Sequence, residues 1–501
     1  MSELMSFRVQ AIRRLPAATT LLVLALLVGC TVGPDYEKPS ISTPDAWHSV
    51  IANEVEGEAP APLQTWWTIF NDPVLNELIE EARESNLNLE MALVNVREAR
   101  AKLAMKGGAE LPEVGLSANV SRTKVSDNGI LSQVAPAGGF SSQGLFVFGL
   151  DAAWEIDVFG RITREVEAEG ARYEASIEDY RDVLVTLYAE VALTYIEIRS
   201  YQEHIANAQA NIKVQMDSLD LTEERFNDGL TSELDIVQAK SNLYTTEAAI
   251  PQFRIRLNAA YNRLAVLCGQ DASTLRSRIN ASSTLPLPDM EIEAGLPADL
   301  LRQRPDIRRA EREIAAATAM IGAATAELYP RFAIQGSIGL DSRSIGTQFD
   351  ATSLAWTLAA PMHWNVFTAG RVQDNIDIKS EQQQKAMLEY RLSVLQAIEE
   401  VENALVSYNE SRIRLGHLKQ AVKATETAVE LVTVQYDSGL TDFNNVLDMQ
   451  RALYEQQNKM VSSSTEATRS IIALYKALGG GWMTLDGKVI ASANPVVSSP
   501  Q

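Results

Sequence analysis

The chain has 501 residues, with 44 basic against 65 acidic side chains and a formal charge of −21, an acidity that argues against a nucleic-acid partner. Two cysteines, Cys30 and Cys268, preclude a disulfide framework, and the four histidines (His48, His204, His363, His417) have no nearby cysteine or acid at ligand spacing, so no metal site is expected. Length alone suggests three domains, but the order of elements points to two related halves.

Residues 1–29 read as a signal peptide, because Arg13 and Arg14 precede an apolar run, Leu21 to Val28, too short to span a membrane and ending at Gly29-Cys30. Leu27-Val28-Gly29-Cys30 resembles a bacterial lipobox, in which the cysteine thiol receives a diacylglycerol before cleavage and the freed amine is acylated. Cys30 is therefore the expected lipid attachment site and the first residue of the mature chain; ordinary secretory cleavage is the alternative. The next residue is Thr31. In bacterial lipoproteins an aspartate there commonly causes inner-membrane retention, so the resemblance favours export to the outer membrane. Cleavage removes Arg8, Arg13, Arg14 and Glu3, which leaves 41 basic against 64 acidic residues, a charge of about −23.

Residues 30–65 are expected to form a lipidated, extended segment. Two structural repeats then follow, at 66–270 and 297–480, joined by a linker over 271–296. Gly229-Leu230-Thr231 answers Gly439-Leu440-Thr441, Leu243-Tyr244 answers Leu453-Tyr454, and Asp157-Val158-Phe159 answers Asn365-Val366-Phe367. Each copy reads as a helix, two strands and a long helical hairpin. Residues 481–501 read as a flexible tail rich in Ser, Ala, Val and Pro.

Strands are expected at about 113–125 and 144–158 in the first copy and at about 331–341 and 353–364 in the second. In the second segment Phe146, Phe148, Leu150, Ala152, Trp154 and Ile156 share one face, and Gly149, Asp151, Glu155 and Asp157 the other. Such segments suit a transmembrane β-barrel, with a soluble two-layer sheet as the alternative. Four strands cannot close a membrane barrel, whose smallest forms need about eight, and open edges in lipid leave backbone groups unsatisfied. The barrel must be shared between subunits; a dimer would fill its interior with side chains, whereas a trimer leaves a lumen suited to transport.

Residues 171–228 contain neither Gly nor Pro, and residues 371–438 contain only Gly416. At about 1.5 Å per residue these runs reach about 85–100 Å. Leu184, Leu187, Val191, Thr194, Ile198, Tyr201, Ile205, Ala208, Ile212, Gln215, Leu219, Thr222 and Phe226 step alternately by three and four, a repeat that predicts left-handed supercoiling. The runs turn at Asn227-Asp228-Gly229 and Asp437-Ser438-Gly439 and return as helices. The expected fold class is mainly α with a membrane β-barrel, carrying four strands and two long antiparallel hairpins per protomer.

With these features together the chain resembles the TolC-like outer-membrane factors, specifically the lipidated NodT-type branch with its OprM-like relatives. The resemblance covers nearly all of the mature chain. It rests on Val32-Gly33-Pro34-Asp35-Tyr36, Trp66-Trp67, Asp72-Pro73 and Asn86-Leu87. Most specific is Arg304-Pro305-Asp306-Ile307-Arg308-Arg309-Ala310-Glu311, followed by Ile321-Gly322 and Tyr329-Pro330. It implies a homotrimer with a twelve-stranded barrel and a twelve-helix periplasmic tunnel. It also implies a passive exit duct for drugs or other small molecules, served by a periplasmic adaptor and an inner-membrane transporter of the RND type. By the same resemblance, the helical tips form the entrance and dock the adaptor through Gly229, Leu230, Thr231, Gly439 and Leu440. Asp448 lines the narrowest constriction, and Asp235 and Tyr436 hold the closed tips together. Some relatives carry an arginine at Thr441 and an acid at Asn445, so Asp442 or Arg225 is the alternative for the ion-pair part of that lock.

Independently of family, three symmetry-related carboxylates near one axis repel one another and attract cations, so an Asp448 ring is expected to make the closed channel cation-selective. No Gly-rich phosphate loop, nucleophile elbow or cofactor motif is present, and no catalytic set is expected. Trp66-Trp67 reads as packing rather than as a sugar platform. A type I protein secretion duct and a non-conducting coiled-coil lipoprotein remain as alternatives.

Overall fold

The computed structural model describes residues 31–40, 47, 63–124, 126, 142–279, 285–286 and 298–482. Cys30, the signal peptide and the tail from residue 483 lie outside the described residues. In chain order the elements are α1 (Pro73–Ser85), α2 (Leu87–Gly107), β1 (Glu113–Thr123), β2 (Gln143–Ile156), α3 (Arg161–Asn227), α4 (Glu233–Leu267), α5 (Ala272–Arg278), α6 (Pro305–Ala326), β3 (Arg331–Ser342), β4 (Leu354–Ala359), β5 (Met362–His363), α7 (Arg371–Asp437) and α8 (Phe443–Ala477). The chain is thus mainly α. Helices α3 and α7 each run 67 residues without a break. No helix among the described residues is long and apolar enough to cross a membrane.

Contacts group the chain into two compact units, the first comprising residues 1–39, 98–175 and 311–389, the second the remainder. The first holds an antiparallel sheet ordered β1-β2-β3-β4, with β5 pairing β3 beyond β4. Pairing places Leu116, Leu150, Ile338 and Trp356 in one row, and Gly115, Asp151, Ser337 and Thr357 in the next. Because side chains alternate between faces, the rows assemble one continuous apolar face and one polar face. The apolar face is bare: Leu116, Trp356 and Leu358 are about 70% exposed. Each hairpin is anchored by a tryptophan, Trp154 donating its indole N–H to the Glu110 carbonyl (2.9 Å) and Trp364 donating to that of Leu328 (3.0 Å). The fourth segment, expected as one strand over 353–364, is interrupted after Ala359. Pro361 has no N–H to donate, and there only its carbonyl bonds β3, accepting from the Ala333 N–H at 3.0 Å.

Also within the first unit, residues 32–38 are strapped onto α3 and α6. Gly33 (φ +92°) lies against Gly322 so closely that a Cβ on Gly33 would sit 2.4 Å from the Gly322 Cα. Arg164 donates to the Val32 carbonyl (3.3 Å) and to Asp35 (2.6 Å), Tyr36 donates to Glu311 (2.9 Å), and Lys38 pairs with Glu311 (3.2 Å).

The second unit is helical. Asp72 caps α1, accepting from the Val74 N–H at 2.9 Å, with Pro73 in the first turn where its missing N–H costs nothing. Asn86 joins α1 to α2 by accepting from the Leu89 N–H (3.0 Å) and donating to the Leu267 carbonyl (2.8 Å). Trp66 is buried and stacks on Tyr475 with centroids 5.6 Å apart, while Trp67 packs edge-on against Tyr188. Both tryptophans are therefore packing residues. The Arg304 to Arg309 signature is an ion-pair cluster. Arg304 reaches Asp306 (2.8 Å), Glu400 (2.8 Å) and the Ala477 carbonyl (2.5 Å), Arg308 reaches Glu178 (2.9 Å), and Arg309 reaches Asp179 (2.5 Å). Burial, and then the charge of Asp306, hold the Asp182 carboxyl above its usual range. Cys268 is buried, and burial pushes its thiol up to about 12.

The seven-residue repeat of α3 is realised only in part. Leu184, Leu187, Val191, Thr194, Ile198, Ala208, Gln215 and Thr222 are buried, whereas Tyr201, Ile205, Ile212 and Leu219 are half-buried and Phe226 is exposed. Towards the tip His204, Asn211 and Ser218 are buried instead. They bond α8: His204 Nδ1 meets Asn458 Oδ1 (2.8 Å), Asn211 donates to Gln457 (2.6 Å), and Ser218 accepts from Gln450 (2.6 Å). A helix with neighbours on two sides buries two adjacent stripes, and a polar stripe is invisible to a reading that follows only apolar residues.

Candidate functional site at the helical tips

Both long hairpins, α3-α4 and α7-α8, end in the same local structure. At the first tip the Leu230 N–H bonds the Arg225 carbonyl (2.9 Å) and the Gly229 N–H bonds that of Phe226 (2.9 Å); at the second, Leu440 bonds Gln435 (2.8 Å) and Gly439 bonds Tyr436 (3.0 Å). This is the Schellman closure of a helix end, which needs a residue at positive φ, and Gly229 (+74°) and Gly439 (+72°) supply it without a Cβ penalty. Leu230 and Leu440 follow and are exposed, 64% and 78%, as apolar knobs on the turns.

The returning helices start on matched polar clusters. Thr231 donates to the carboxylate of Asp235 in the first turn of α4, where negative charge complements the helix dipole. In the second hairpin Asp442 caps α8 by accepting from the Asn445 N–H (3.2 Å), and the Asn445 amide donates to the Thr441 hydroxyl (2.8 Å). Asp235 and Asn445 thus occupy equivalent positions, one charged and one neutral. Asp448 lies further along α8 and is exposed; among the described residues it has no hydrogen-bond or ion-pair partner.

Between the hairpins sits a small buried cluster of Ala239, Val432, Tyr436, Phe443, Val446 and Leu447. The Tyr436 and Phe443 rings lie 5.3 Å apart. Arg225, at the end of α3, crosses to the other hairpin: it donates to the Asp437 carbonyl (2.7 Å) and its guanidinium lies 4.7 Å over the Tyr436 ring. A cation at the carbonyl end of α7 is favoured by the helix dipole. The Tyr436 hydroxyl and the Arg225 Nε are buried without hydrogen-bond partners among the described residues. Asp235 and Tyr436 are therefore not bonded to each other within one protomer. One turn up, Gln450, Ser218, Asn242 and Arg451 form a polar layer, with Arg451 donating to Asn242 at 3.2 Å. No group of three or more His, Cys, Asp or Glu among the described residues could hold a metal ion.

Comparison with known proteins places this architecture. The family model described as outer membrane efflux protein matches residues 78–270 and 296–480, one segment for each half of the chain. The chain belongs to the outer membrane efflux protein family. As a member it is an outer-membrane efflux component, and its strands are the part that meets the membrane. It is 30% identical over 466 residues to the solvent efflux pump outer membrane protein SrpC of Pseudomonas putida, covering 92% of this chain and 97% of that one. It is 28% identical over 468 residues to nodulation protein T of Rhizobium leguminosarum bv. trifolii, covering 93% and 97%. The solved structure of the outer-membrane channel OprN superimposes with a TM-score of 0.84 at 32% identity, covering 90% of this chain and all of that one. Members of this family are channel and transport proteins.

Within this efflux protein the structure gathers Arg225, Tyr436 and Phe443 at one tip-to-tip contact, and sets Thr441, Asp442 and Asn445 around the start of α8. Asp448 stands apart from both groups. Phe443 was not singled out from the sequence, although an aromatic seven residues after Tyr436 across a glycine turn is a legible signal. The polar layer of Ser218, Asn242 and Gln450 was also missed; for Ser218 the signal is the seven-residue spacing of His204, Asn211 and Ser218 along α3.

Proposed function

We propose that three copies of this chain close a common barrel and tunnel that conducts drugs or other small molecules out of the cell. Efflux starts at an inner-membrane transporter of the RND type and passes through a periplasmic adaptor into this duct. Cys30 carries the lipid that fixes the mature chain to the outer membrane. The observation that carries this reading is the sheet: one face is mostly apolar and largely exposed, the other mostly polar, and among the described residues both edges are unpaired, an arrangement stable in lipid only when further copies complete it.

The helical tips form the gate. Asp448 carboxylates from three copies ring the constriction and attract cations, and Asp235, half-buried, is available for contacts between neighbouring copies. Tyr436 is buried in its own protomer and holds the tip together between Phe443 and Arg225. Arg225 takes the part of the arginine that relatives carry at Thr441, holding the two hairpins of one protomer together. Leu230 and Leu440, beside Gly229, Thr231 and Gly439, present the apolar docking surface for the adaptor. Single-channel conductance of the mature, lipidated protein in planar bilayers tests the reading, comparing the unmodified chain with Asp448→Ala and Asp235→Ala. A small cation-selective current that grows on substitution is expected. No discrete current from inserted oligomers of any of the three would refute a conducting duct and favour a tethering lipoprotein.

A further inference from the structure

The sheet is a tandem repeat at the level of register. Advancing β1 by 218 residues and β2 by 210 carries Glu113 opposite Ala153 onto Arg331 opposite His363. The same displacements carry Ser117 opposite Gly149 onto Gln335 opposite Ala359, and Val120 opposite Phe146 onto Ile338 opposite Trp356. They also carry the Trp154 bond to Glu110 onto the Trp364 bond to Leu328. The two hairpins are therefore copies without a slip, and the β2–β3 pairing between them is a worked example of how one copy joins the next.

If the closed barrel proposed above is built by repetition, the free edge of β4 and β5 meets β1 of a neighbouring copy as β2 meets β3. Moving β2 forward by 210 and β3 back by 218 turns Ala153 opposite Gln335 into His363 opposite Ser117. Likewise Trp154 opposite Ile334 becomes Trp364 opposite Leu116, and Gly149 opposite Gly339 becomes Ala359 opposite Ser121. We propose that this is the register of the seam between copies: His363 of one copy faces Ser117 of the next, with Trp364 on Leu116.

Two independent features agree with it. Apolar residues of β1 (Val114, Leu116, Val120) and of the fourth segment (Trp356, Leu358, Met362, Trp364) all carry even numbers and are all exposed. The register pairs even with even, so the apolar face continues across the seam, whereas a one-residue slip would put half of it in the lumen. The backbone agrees as well. Pro361 bonds β3 through its carbonyl, so Ala360 and Met362 turn their N–H groups to the open edge and the proline does not blunt it. The edge is intact and asks for a strand.

His363 and Ser117 then form a non-hydrogen-bonded pair, about 4.5 Å between Cα atoms, inside the disulfide range of about 4.4–6.8 Å. Within one copy β1 and β5 are separated by β2 and β3, so a bond between them joins copies, and the native Cys268 is buried. The full-length, membrane-assembled protein carrying Ser117→Cys with His363→Cys is oxidised and run without reductant. Ser121→Cys with Ala359→Cys is the second in-register pair. Asn119→Cys with His363→Cys and Glu113→Cys with His363→Cys are the mismatched pairs, and native mass gives the copy number. Covalently closed trimers from the in-register pairs, at least ten-fold more than from the mismatched ones, are expected. Stronger linking by a mismatched pair in a trimer would overturn the register while leaving the duct intact. A trimer in which no pair links would overturn the edge pairing itself. An assembly of some other copy number would overturn the function proposed above.

Discussion

Replacing Arg225 by alanine should loosen the two hairpins of a protomer at their tips. The side chain contributes a hydrogen bond from a charged donor to the Asp437 carbonyl (2.7 Å) and a cation–π contact at 4.7 Å from the Tyr436 ring. The first is worth about 1.5 kcal/mol, the lower end for a charged bond because it lies at the surface, and the second about 0.5–1 kcal/mol. Against these stand the unpaired Nε, relieved by the substitution, and the rotamer entropy that a freed arginine regains. A net loss of about 1 kcal/mol remains, roughly a five-fold shift towards separated tips. Hydrogen exchange followed by mass spectrometry should show amides of residues 226–231 and 436–440 exchanging about five-fold faster, and bilayer recordings should show longer open times. Arg225→Lys keeps the charge but loses the planar stack, and should fall between. Exchange at both tips unchanged within two-fold in Arg225→Ala would refute the reasoning, since it would mean that the contact carries no coupling.

Three further outcomes follow from the packing. Gly33→Ala forces a Cβ to 2.4 Å from the Gly322 Cα at a φ of +92°, and should cost about 2–3 kcal/mol and release the strap, seen as new protease cleavage around residues 36–38. Gln450→Leu strips the Ser218 hydroxyl of its 2.6 Å donor in a buried layer and should destabilise by about 1–3 kcal/mol; pairing it with Ser218→Ala should recover most of that, as a double-mutant cycle in thermal or chemical unfolding would read. Burial holds the His204 imidazole below its ordinary value of 6.5. A histidine whose folded value is depressed binds its proton more readily when unfolded, so stability is lost as pH falls through 6.5, and His204→Gln should flatten the drop in melting temperature between pH 7.5 and pH 5.5.

Much of the fold was legible because it rests on long, regular signals. Long runs without Pro, and with no Gly but Gly416, marked α3 and α7, and alternation in Phe146 to Ile156 marked β2 with its apolar side. The break at Pro361 was present in the sequence but its effect was not, since a proline whose carbonyl is still used leaves a strand segment on each side. At the tips, glycine placement revealed the turns, while the partners of each polar side chain were hidden. Thr231 and Asp235 are neighbours on one turn, but Arg225 and Asp437 are 212 residues apart and meet only because two hairpins pack.

That division is general to this chain. Local backbone preference and side-chain periodicity act over a few residues, so they alone settle where helices turn and which strand face is apolar. Tertiary packing decided which buried stripe of α3 is apolar and which is the polar line of His204, Asn211 and Ser218. It also decided the common register of the two strand pairs. Those outcomes depend on what stands opposite, and a residue's partner across a helix seam or a sheet is not written in its own neighbourhood.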